Sequence, residues 1–165
     1  MPPSFDALQI IAEIALGIVG FSAILIGLSR TSDGFTSPDN FRIQLLTYSA
    51  FGSMFCALFP FAIFGEGSNE ISWSIILWIL CLYSSAGLLV FPRRMILLRS
   101  DGYKDIFPWQ LCFFQTSILL IIFLLSLLMI LGYIPNQANV YIGCLILFLV
   151  QSSVAFIRTM FVRVK

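Results

Sequence analysis

Asp6, Gln9 and Glu13 follow one another at intervals of three and four residues, so a helix would carry them on one face. Carboxylates and an amide stacked in this way can share a proton, hydrogen-bond one another or attract a cation. Glu13 lies well inside an apolar run, 5–28, whose only other charge is Asp6 at its lip. About six residues past Ala7, at ~1.5 Å per residue, Glu13 sits ~9 Å along that run, too deep for its short side chain to reach the surface comfortably. An isolated ionised acid in hydrocarbon costs several kcal/mol. Three states relieve that cost: a protonated Glu13 bonded to Gln9, a Ser or a carbonyl; a Glu13 lining a water-filled path and attracting cations; or a Glu13 meeting a base of another protein. Below Glu13 the same face continues as Gly17, Gly20, Ile24 and Gly27. Small residues let a second backbone approach closely, which is how helices associate in lipid. The stripe therefore suits tight packing within one subunit, a subunit interface or a pore-facing surface.

The rest of the chain must position this stripe, and its composition is that of an integral membrane protein. Of 165 residues, 59% are hydrophobic and only 10% charged, the mean hydropathy is +1.00, and a soluble domain carries roughly 25% charged residues. We expect one membrane domain, 1–165, with no separate soluble part and an uncleaved first segment. A hydrocarbon core ~30 Å thick asks for about 20 apolar residues per helix. Five stretches qualify: 5–29, 41–64, 71–90, 109–131 and 140–161. Ser37 before Pro38 reads as a cap opening the second span. The fourth span is bulky and aliphatic all round and is expected to face lipid over much of its surface. Pro60 should loosen the second span near its end.

The bases partition sharply. Arg30 and Arg42 flank the first connector, Arg93, Arg94, Arg99 and Lys104 occupy the third, and Arg158, Arg163 and Lys165 the C-terminus. The second connector carries Glu66 and Glu70, and the fourth no charge. All nine bases therefore fall on one side of a five-span bundle. The positive-inside rule makes that side cytoplasmic, with the N-terminus outside, in a cell (inner) membrane. Trp73, Tyr133 and Tyr141 on the outer side, and Trp109 on the inner, are placed for an aromatic belt. Arg93, Arg94 and Arg99 are expected to set topology and to contact anionic lipid or a cytoplasmic partner.

Ser49 and Gly52, followed by Cys56, form a lesser small-residue stripe on the second span. Gln151 with Ser152 and Ser153, and Ser84-Ser85 with Gly87, offer further polar spots for interhelical hydrogen bonds. The absence of His removes imidazole as a ligand or base. The four Cys, one to a segment, read as small apolar packing residues. There is no paired-acid site, glycine-rich phosphate loop or metal cluster, so no enzyme, cofactor, metal or nucleic-acid partner is expected.

Ala12-Glu13-Ile14, Gly20-Phe21-Ser22-Ala23-Ile24, the Arg30 that follows and the Arg42 that opens the next span resemble a widespread group of small uncharacterised bacterial membrane proteins. The resemblance covers the first two spans and brings no activity with it. It implies that Glu13 and the glycine face are family features. Together these readings favour a homo-oligomer forming an ion channel or permeation pathway with the first helix near its axis. The alternative is a non-catalytic accessory subunit of a larger membrane complex. A proton-carrying transporter fits less well, because the five spans show no repeat and hold one intramembrane acid.

Overall fold

The computed structural model describes residues 4–28, 36–64 and 70–161. Among them it contains five α-helices and no strand: α1 (Phe5–Leu28), α2 (Ser37–Ile63), α3 (Glu70–Ser100), α4 (Trp109–Ile130) and α5 (Gln137–Phe161). All five are long and apolar enough to cross a membrane. Helices α2, α3, α4 and α5 form an up-and-down ring in which each packs on the next and α5 closes against α2. Helix α1 lies outside this ring, in the groove between α2 and α5. Leu77, Leu80, Ile122, Tyr141 and Phe148 of these helices are fully buried in the core.

The helix ends differ from the hydropathy reading in instructive ways. Helix α3 does not stop at Val90 but continues through Pro92 to Ser100. Proline removes one backbone bond and crowds the preceding turn, yet tertiary contacts hold the helix on both sides of it. Phe91 meets Phe41 and Tyr48 edge-on, at 5.9 and 4.9 Å between ring centroids, and Met95 is buried. Helix α2 is capped by Thr36 rather than Ser37. The Thr36 hydroxyl accepts from the Asp39 N–H at 3.4 Å and donates to the Asp39 carboxylate at 2.6 Å. Pro38 thus falls within the first turn, where its missing donor costs nothing. Pro60 is accommodated inside α2, and its carbonyl accepts the N–H of Phe64.

Tyr133 and Trp109 are exposed at the helix ends, as a belt requires. Trp73 and Tyr141 are instead buried. Tyr141 donates to the Cys56 carbonyl, and Trp73 packs between Tyr141 and Phe64. A phenol inside a bundle is stable when its hydroxyl finds a carbonyl, and this pair ties α5 to α2. All four cysteines are buried and unbridged.

The bases of the described residues, Arg42, Arg93, Arg94, Arg99, Lys104 and Arg158, cluster at one end of the bundle, where Arg94–Gln44 joins α3 to α2 and Arg158–Ile106 joins α5 to the connector between α3 and α4. Asp6 and Glu70 lie at the other end, where Phe5 packs on Phe61. Arg30, Glu66, Arg163 and Lys165 fall outside the described residues.

Candidate functional site

Helix α1 presents two unlike faces. Leu8, Ile11, Ala12, Ala15 and Ser22 are buried toward α2 and α5, with the Ser22 hydroxyl satisfied by the Ile18 carbonyl. The opposite face carries the acidic and glycine stripe. Asp6, Gln9, Glu13, Gly20 and Gly27 are exposed and Gly17 half-buried. The Gln9 amide donates to the Glu13 carboxylate at 2.9 Å, so these two side chains are brought together as their spacing suggests. A methyl group placed on Gly17, Gly20 or Gly27 would touch nothing within 4 Å. Tight packing of these glycines within one subunit is therefore not what the fold does with them. Helix α1 buries the smallest share of its span among the five. The bulky α4, expected to face lipid over much of its surface, has 33% of its span buried, with Gln115, Ile118, Leu119, Ile122, Ser126 and Met129 along one side.

Ser49 and Gly52 have a different fate. Both are buried, and they pack within the chain. The ring of Tyr83 fills the space a side chain on Gly52 would take, and the ring of Tyr48 does the same at Gly87, coming within 2.8 Å of a built methyl. The two rings stack at 4.3 Å and 13°. The Tyr83 hydroxyl donates to the Tyr48 carbonyl at 2.6 Å, and the Tyr48 hydroxyl returns the bond to the Tyr83 carbonyl. This reciprocal clasp locks α2 to α3. Gly87 was expected only as part of a polar spot for interhelical hydrogen bonds, and nothing local to either helix reveals which ring would fill the space beside it.

At the basic end, Arg93 and Arg94 are exposed, and Arg94 donates to Gln44. Arg99 is not a free surface charge: it donates to the Phe107 carbonyl and lies 4.3 Å over the Trp109 ring. Arg158 donates to the neighbouring Ile106 carbonyl. These two arginines draw the α3–α4 connector under the bundle, where Phe107 is buried edge-on against Phe41, 5.4 Å away, with the Arg42 guanidinium 5.9 Å from its ring. Arg42, only 3% exposed, pairs with Asp39 at 3.5 Å. Deeper in, the buried Gln151 amide donates to Gln115 at 3.4 Å. An apolar Ile106-Phe107 pair inside a polar connector was the signal for this plug. The roles of Arg42 and Gln115 had no local signature.

Among the described residues, no three His, Cys, Asp or Glu side chains converge on a metal-binding geometry. The fold and its faces define a polytopic α-helical membrane protein. No protein-family profile, curated protein or solved structure matches the chain.

Proposed function

We propose that this protein is a homo-oligomer in a cell (inner) membrane, in which copies meet through the outward face of α1 and gather Asp6, Gln9 and Glu13 around a cation-favouring path. One observation carries the reading: the hydrogen-bonded Gln9–Glu13 pair stands on the outward face of α1, above three open glycine turns. A polar pair of this kind facing lipid alone is costly. A second helix or water answers it, and open glycines accept close approach. The ring α2–α5 is packed with fully buried side chains, which favours a path between copies over one through a single chain. Carboxylate rings favour cations in pores. With the basic end cytoplasmic, the acidic stripe opens outward, and Arg93 and Arg94 face anionic headgroups or a cytoplasmic partner. The protein is read as non-enzymatic, with no cofactor.

Glu13→Gln keeps the shape and the bond to Gln9 while removing charge. In reconstituted planar bilayers the substitution is expected to bring the cation-to-anion permeability ratio down toward one without changing the melting temperature. Wild-type protein with no conductance, or a ratio indifferent to the substitution, contradicts the proposal. A purified complex holding one copy with foreign subunits would assign the same face to an accessory role.

A further inference from the structure

The basic end holds a second feature, independent of α1. A cavity of about 10 Å³ lies between α2, α3, α4, α5 and the plug, lined by Arg42, Gln115 and Arg158 among Phe41, Phe107 and Leu111. Its polar wall is rich in donors, and two of its three polar side chains are cations. Guanidinium groups donate and never accept. The Gln115 carbonyl oxygen already accepts from Gln151 and keeps one lone pair beside its NH2 group. Arg158 also keeps a buried Nε–H without a hydrogen-bond partner, and among the described residues no carboxylate lies within 4 Å of it. A water molecule brings two hydrogens of its own and would find one acceptor here, the Gln115 oxygen. An anion needs donors alone, and a buried charge needs a counter-charge. The volume matches one water-sized particle, roughly 10–15 Å³ by the same measure, which favours a monoatomic ion over phosphate or a carboxylate.

We propose that this cavity binds a single monoatomic anion of chloride size, held by Arg158, Arg42 and the Gln115 amide. Bound there, the anion ties α2, α4 and α5 together beneath the Phe107 plug. The test compares melting of the purified full chain in sodium chloride, sodium bromide and sodium gluconate at equal ionic strength. Chloride and bromide are expected to raise the melting temperature saturably, by about 2–4 °C for a site contributing on the order of 1 kcal/mol, and gluconate is not. Arg158→Gln should remove that difference, and the exposed Arg93→Gln should retain it. Bromide crystals should show one anomalous peak in the cavity. Identical melting in the three salts, loss of the effect in Arg93→Gln, or a water in the cavity with no bromide peak overturns the proposal.

Discussion

Gly52→Val is expected to prevent assembly of the folded bundle. The new side chain would enter the space of the Tyr83 ring, and moving that ring breaks its contacts. It is stacked on Tyr48 at 4.3 Å, bounded by Phe148 at 5.8 Å, and held by its hydroxyl at the Tyr48 carbonyl. Overpacking a filled core typically costs about 1–3 kcal/mol, and displacing the ring adds a broken bond in each direction, about 1 kcal/mol apiece. Inside a bilayer, packing and hydrogen bonds are the main forces that join helices, so little remains to compensate. The expected result is loss of a monodisperse peak in detergent and of a cooperative melt. Gly143→Ala is the control, because a methyl there touches nothing within 4 Å and melting should be unchanged. A Gly52→Val protein that melts like the wild type would show that the clasp does not hold α2 to α3.

Phe107→Ala is expected to lower stability by ~3–5 kcal/mol, the usual cost of deleting a buried aromatic ring. The ring lies at the basic end, where its loss admits water rather than lipid. Its carbonyl also accepts from Arg99 and weakly from the Cys112 thiol at 3.8 Å, so the connector loosens as the ring goes. Cys112 is only 6% exposed in the native fold. Its labelling by a water-soluble maleimide should rise sharply in the variant. Phe113→Ala removes a ring of the same size from an exposed position and should change neither quantity. Unchanged Cys112 labelling in Phe107→Ala would rule out the plug.

The five spans were legible because twenty apolar residues in a row have few alternatives, and each span appears as a helix. Their ends were less legible, since Pro92 reads as a stop, yet Phe91 packs on Phe41 of α2 and Met95 is buried, and the helix runs on. The phase of the α1 stripe was also readable, because i, i+3 and i+4 spacings fix one face. Which way that face points was not. In a bilayer the lipid-facing and core-facing sides are both apolar, so Ile10 and Ile11 look alike in sequence although one is exposed and the other buried. The basic residues show the same limit. Arg93 and Arg99 have the same charge, yet Arg93 is exposed while Arg99 is spent on a carbonyl and a Trp ring. Only the position of the distant α3–α4 connector distinguishes them.

On the proposed function, the outward face of α1 meets another copy of the chain. Gly20→Cys places a thiol on that face in open space, and the four native cysteines are buried, so a short bis-maleimide applied to membranes should read this position alone. The account predicts a covalent dimer of the 18.5 kDa chain that is absent from the wild type. An efficiently labelled Gly20→Cys protein that stays monomeric would contradict it.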